Sequence, residues 1–112
     1  MWHDPDDRLE LPPREALARL EADPGIRLID VREDFEREIC QLPGSLQLTE
    51  ALAEEMLSSW NRSQPIIFQC HHGGRSRAAA EYFLQQGFTE VYNLSGGIEA
   101  WSLEVDPSVP RY

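Results

Sequence analysis

The chain alternates short apolar runs with amphipathic stretches, and the changes of period mark its elements. Residues 1–8 are acidic and polar and read as a loose entry. Leu9-Glu10-Leu11 then alternates apolar and charged, as a short edge strand does. In PREALARLEAD, residues Ala16, Leu17 and Leu20 share one helical face. Pro13 sits in the first turn of that helix, where a missing N–H costs little, and Pro24-Gly25 ends it. Residues 26–31, IRLIDV, are apolar enough to be a central strand buried on both faces. A helical turn over 34–40, the Pro43-Gly44 step and a short strand near 45–48 follow. Thr49 can cap a helix running to Trp60, with Ala53, Met56, Leu57 and Trp60 inward. Ile66-Ile67-Phe68 reads as a second central strand. RSRAAAEYFLQQG reads as a helix with Ala79, Ala80, Phe83 and Leu84 inward and Gly87 as its terminator. A strand over 91–94, a Gly96-Gly97 turn and a short helix over 98–103 carrying Trp101 complete the pattern. The segment VDPSVPRY should lie against the surface.

Strands of about four residues alternating with helices predict an α/β fold, a three-layer sandwich whose mostly parallel sheet has helices on both faces. Chemistry in such a fold sits at the loops leaving the carboxyl ends of the strands. The 112 residues are expected to form a single domain over residues 1–112, and 41% hydrophobic residues supply its core.

Charge narrows the partners. Twenty Asp and Glu stand against ten Arg and no Lys, a formal charge of −10 that repels nucleic-acid phosphates and anionic membrane surfaces alike. Nucleic acid and membrane are therefore not expected as partners. The opening residues MWHDPDDRLE have neither a basic nor an apolar stretch of the kind that targets a chain for export, so a cytoplasmic location is expected. Two cysteines, Cys40 and Cys70, cannot build a disulfide framework and are read as free thiols.

Cys70-His71-His72-Gly73-Gly74-Arg75, followed by Ser76, leaves a buried strand and enters a helix. Glycines permit a tight turn, and amide N–H groups at a helix start can point back at a sulfur and favour its thiolate. Arg75 adds a fork of donors suited to an anion, and an arginine in a first helical turn is an odd choice without one to meet. Asp30, at the end of its strand, needs solvent or a partner, and Arg32 has the right shape to brace it. A zinc site is not supported, because three consecutive residues rarely converge on one ion. Cys40 reads as core or pocket wall rather than as a resolving thiol.

These segments together resemble the rhodanese-like, or sulfurtransferase, family. The resemblance lies in Asp30-Val31-Arg32, Pro43-Gly44, the loop from Cys70 to Arg75, and the segment from Asn93 through Gly96-Gly97 to Trp101. It implies a five-stranded, mostly parallel sheet, no cofactor, and a cysteine that carries sulfur as a persulfide. It further implies a six-residue active loop for sulfur transfer, where related phosphatases and arsenate reductases use seven; Cys70 through Arg75 makes six. Where many relatives have Gly-His-Ile before the Pro-Gly step, this chain has Cys40-Gln41-Leu42. On this reading Cys70 and Arg75 are catalytic, and His71, His72, Gly73, Gly74 and Ser76 bind substrate. Asp30 and Arg32 support the loop.

The implied activity moves sulfur from a small anionic donor such as thiosulfate to a thiol or cyanide, with a sulfur-acceptor protein as a further partner. Two alternatives remain at this point: a thiol redox enzyme using Cys70 and Cys40, and a persulfide-carrying or regulatory binding module.

Overall fold

The computed structural model describes residues 7–112; the loose entry expected over residues 1–8 falls largely outside them. Five strands, β1 (Glu10–Leu11), β2 (Arg27–Asp30), β3 (Leu46–Gln47), β4 (Ile66–Gln69) and β5 (Val91–Leu94), form one sheet in the order β1-β5-β4-β2-β3. All four pairings are parallel, with Asp30 beside Gln69 and Phe68 beside Asn93. Between the strands run α1 (Pro13–Ala22), α2 (Asp34–Ile39), α3 (Glu50–Ser59) and α4 (Gly74–Gln85), and α5 (Gly97–Glu104) follows β5.

The alternation of side chains along the strands divides the core in two. Leu28, Ile67 and Leu94 pack with Ala16, Ile98 and Trp101 under α1 and α5, whereas Ile29, Ile66, Phe68 and Val91 pack with Met56, Ala80 and Phe83 under α3 and α4. The three-layer sandwich expected from the sequence is the observed one. Local chemistry sets the helix ends: Pro13 opens α1, the Thr49 hydroxyl accepts from the Leu52 amide at 3.0 Å, and Gly87 follows α4 with φ +97°.

Two expectations are corrected. Leu84 points outward, 45% exposed, because the sheet is met by the stripe through Ala80 and Phe83. The segment over 105–112 does more than lie on the surface. Val109 is buried with Trp101 and Leu42, and its carbonyl accepts from the Ser102 hydroxyl at 2.7 Å.

From β2 the chain turns to β3 on one side and then returns to β4 on the other, which makes the crevice beyond the carboxyl ends of β2 and β4 a topological switch point. Asp30 to Glu33 leave one strand there, and the loop beginning at Cys70 leaves the other. A groove lined by Leu20, Ile26, Leu28, Pro43 and Leu46 opens at the amino end of β2, away from that crevice.

Candidate active site

Cys70 follows the last residue of β4 and is 1% exposed. Its Sγ accepts from the amide of Gly73 at 3.1 Å and from the amide of Ser76 at 3.4 Å, and the Ser76 hydroxyl lies 3.3 Å away. This return of the loop on its own sulfur requires Gly73 to adopt φ +101°, a conformation strained for any residue with a side chain, and a Cβ there would be crowded at 3.2 Å from the Gly96 nitrogen. Gly74 and Arg75 begin α4, so their N–H groups have no acceptor within the helix and belong to the same positive end.

The loop is clamped from both sides. On one side the amides of Ile98 and Glu99 donate to the carbonyls of Cys70 and His71 at 2.8 and 3.1 Å, so the start of α5 rests on the loop. Gly97 makes this approach: a Cβ there would collide with the carbonyl oxygens of Cys70 and His71. On the other side, Asn93 Nδ2 donates to the Gly73 carbonyl at 3.1 Å, and the Ser76 hydroxyl reaches Asn93 Oδ1 at 2.5 Å. Asn93 is fixed in turn by Glu10, which also accepts from Ser95 at 2.6 Å and Arg77 at 2.8 Å. Burial raises the Glu10 carboxyl, but the hydrogen bonds from Ser95, Asn93 and Arg77 outweigh it and hold the group below the usual carboxylate range.

Asp30 and Arg32 pair with each other. Both side chains are fully buried; Arg32 Nε and Nη2 reach Asp30 at 3.0 and 2.8 Å, and Arg37 adds a bond of 2.6 Å. Arg32 also donates to the Cys40 carbonyl at 2.7 Å and to the Tyr112 hydroxyl at 3.0 Å, tying β2 to the chain after α2 and to the segment after α5. Such a fork with its remaining donors satisfied is the arrangement in which a buried ion pair survives desolvation.

Arg75 does meet an anion, and it is Glu36 of α2. The two terminal nitrogens of Arg75 bond both carboxylate oxygens at 2.7 and 2.9 Å, the guanidinium side 45% exposed and the carboxylate side 5%. Glu36 also accepts from its own helix start at the Glu33 amide and from the Tyr112 hydroxyl at 2.7 Å. The Arg75 guanidinium first, with Glu33 and Tyr112 assisting, holds the Glu36 carboxyl down at about 2.

Tyr112 stacks on His71 with ring centroids 3.8 Å apart, and His71 stacks on His72 at 3.9 Å. Burial, then the neighbouring His72, pushes His71 below its ordinary value and favours its neutral ring. Both cysteines are free thiols. Cys40 lies in the core under α1 and α5, its Sγ 3.2 Å from the Pro110 carbonyl.

The structure thus gathers Cys70, His71, Gly73, Ser76 and the Arg75 backbone into one loop, with Asp30 and Arg32 beneath the neighbouring crevice. Sequence reasoning missed Glu36, Asn93, Glu10 and Tyr112 as members of the site. Glu36 had a local signal, since it stands three residues after a helix-capping position on the very turn that follows Asp30-Val31-Arg32. Tyr112 had none.

The fold has counterparts among known proteins. The family model described as Rhodanese-like domain matches residues 12–104. Rhodanese-like/PpiC domain-containing protein 12, chloroplastic, of Arabidopsis thaliana is 44% identical over 90 residues, which are 77% of this chain and 30% of that protein. The chain therefore spans less than a third of that relative's length. Among solved structures, a rhodanese-like domain protein from Staphylococcus aureus superimposes with TM-score 0.72 at 23% identity, covering 92% of this chain and 97% of that one. A rhodanese-like domain from Anabaena sp. gives 0.74 at 23% identity, covering 86% and 74%. With the family model spanning both the loop and its clamps, the chain belongs to the rhodanese-like domain family.

Proposed function

We propose that this domain is a sulfurtransferase in which Cys70 accepts and then releases a sulfur atom. The observation that carries the reading is the convergence of two backbone N–H groups on Cys70 Sγ at the start of α4, donors that favour a negatively charged sulfur without help from a general base. In the first half-reaction the Cys70 thiolate attacks the outer sulfur of a donor. The donor's S–S bond breaks, its electron pair leaves with sulfite or a thiolate, and Cys70 retains a persulfide. In the second, cyanide or a thiolate attacks the outer sulfur and Cys70 leaves as the thiolate. The loop donors offset the same single charge before and after each transfer. Ser76 and the N–H groups opening α4 bind the transferred sulfur, and His71 and His72 line the entrance.

The placement of Cys40 against Pro110 in the core favours sulfur transfer over a reaction in which Cys40 resolves a disulfide. The test is steady-state turnover with a sulfane donor and cyanide, read as thiocyanate. Ping-pong kinetics and loss of turnover in Cys70→Ala are expected. Sequential kinetics, or turnover that survives that substitution, would overturn the proposal.

A further inference from the structure

Residues 105–112 follow α5 without forming a further helix or strand, yet their course is fixed. The Ser102 hydroxyl donates to the Val109 carbonyl at 2.7 Å, the Cys40 thiol donates to the Pro110 carbonyl at 3.2 Å, and Arg111 pairs with Glu99 at 2.7 Å. This path carries Tyr112 to the crevice, where its ring lies on His71 and its hydroxyl stands between Arg32 and Glu36. Tyr112 is outside residues 12–104, so the family match does not account for its place there. An arginine can only donate, so the Tyr112 oxygen accepts from Arg32 Nη1 at 3.0 Å and its own proton goes to Glu36 Oε2 at 2.7 Å. Burial, first among the causes, pushes that hydroxyl up to about 12, and it keeps its proton at neutral pH. One hydroxyl thus joins two ion pairs, Asp30–Arg32 below and Glu36–Arg75 at the rim. The lower pair is fully buried, whereas the Arg75 side chain is 45% exposed. A long, half-exposed side chain keeps one direction only where its partner is itself held.

We propose that Tyr112 is a positioning residue of the active site: through Glu36 it fixes the Arg75 guanidinium across the crevice, where that group binds the anionic sulfur donor. The inference rests on Cys70 being the sulfur acceptor. Glu36 engages one N–H on each terminal nitrogen of Arg75, which leaves others for a donor. On Glu36 itself, the Glu33 amide holds Oε1, and Tyr112 is the group other than Arg75 that holds Oε2. Removing the hydroxyl therefore loosens the carboxylate on the side facing Arg32 and lets Arg75 stray with it. An orienting contact made alike in the bound donor and in the transition state governs donor binding, and so KM, rather than the chemical step.

The test is steady-state turnover with thiosulfate as donor and cyanide as acceptor, for the native protein, Tyr112→Phe, Arg75→Ala and the double variant. Tyr112→Phe keeps the ring on His71 and removes only the hydroxyl. It is expected to raise the KM for thiosulfate about fivefold and to leave kcat unchanged. Arg75→Ala is expected to raise that KM further, and Tyr112→Phe added to it is expected to change nothing more, because the tyrosine acts through the arginine. A merely structural Tyr112 would lower kcat through a smaller folded fraction and leave KM where it was, which would overturn the proposal. The same fold-change for Tyr112→Phe with and without Arg75 would overturn it too. Glu36→Asp, whose shorter side chain draws the carboxylate away from Tyr112 and Arg75, breaks the link at its middle and stands in if Tyr112→Phe fails to fold. It is expected to raise the same KM at unchanged kcat, and an unaltered KM there would contradict the proposal. Absence of turnover in the native protein would instead remove the sulfur-transfer reading, and this inference with it.

Discussion

A serine hydroxyl has one proton, and Ser76 has two acceptors in reach, Asn93 Oδ1 at 2.5 Å and Cys70 Sγ at 3.3 Å. The shorter contact takes the proton in this arrangement, and rotation of one torsion would hand it to the sulfur. Ser76→Ala is therefore expected to slow sulfur loading of Cys70 by about a hundredfold, the scale of one lost donor at a charged centre, and to cost about 1 kcal/mol of stability because the buried Asn93 Oδ1 loses its donor. Loading rates by intact mass check it. One residue before Cys70, Gln69 is fully buried and neither polar atom of its amide has a partner among the described residues. Unpaired buried amides are costly, so Gln69→Met is expected to raise unfolding stability by about 1 kcal/mol, read from the urea midpoint. At this scale the sequence was most legible where the site is contiguous. Cys70 to Ser76 could be read as one loop because its glycines and the helix behind it are adjacent in the chain. Glu36 lies 39 positions from Arg75, and nothing local to α2 says which cation its carboxylate will meet.

Among the elements, the loop from Cys70 to Arg75 is held by the beginnings of two helices, α4 behind the sulfur and α5 beneath the carbonyls of Cys70 and His71. Gly97 is the point of contact, with φ +65° and no room for a Cβ. Gly97→Ala is expected to cost about 2 kcal/mol of stability and to lower sulfur loading more than Ser76→Ala does, since it displaces the loop's backbone rather than one donor. Chemical unfolding together with the loading assay checks both halves. The Gly96-Gly97 turn was visible in the sequence and its neighbourhood to the loop was not. Turn chemistry is local, whereas packing of α5 onto the loop depends on the sheet order that places β5 beside β4. The same limit explains Leu84: period alone admitted it to the inner face of α4, and the position of the sheet excluded it.

For the molecule as a whole, the Glu36 cluster joins α2, α4 and the segment after α5, and its strength follows pH with a definite sign. A carboxyl held at about 2 when folded, against 4.5 when free, contributes fully above the ordinary carboxylate range. That contribution is lost as pH falls from about 4.5 towards 2, because the unfolded chain takes up the proton first. Glu36→Gln is expected to flatten this part of the stability profile, which urea midpoints across that range would show. His71 works in the same direction at higher pH: its lowered value means that the folded state resists protonation just below 6.5. A histidine titration followed by NMR is expected to place His71 below that value in the native protein and nearer to it in Tyr112→Ala, where the stacked ring is gone. The fold class was readable from the changes of hydrophobic period, and the loop from Cys70 to Arg75 from its own residues between a strand and a helix. The role of residues 105–112 was not, because VDPSVPRY has no periodicity and its burial depends on Trp101, Leu42 and His71 meeting in three dimensions.

The most direct measurement is the intact mass of the native chain and of Cys70→Ser after brief exposure to a sulfane donor under non-reducing conditions. A gain of one sulfur atom on the native protein, removed by cyanide and absent from Cys70→Ser, is the expected result. An unchanged native mass, or the same gain on the variant, would contradict the assignment of Cys70 as the atom that carries sulfur.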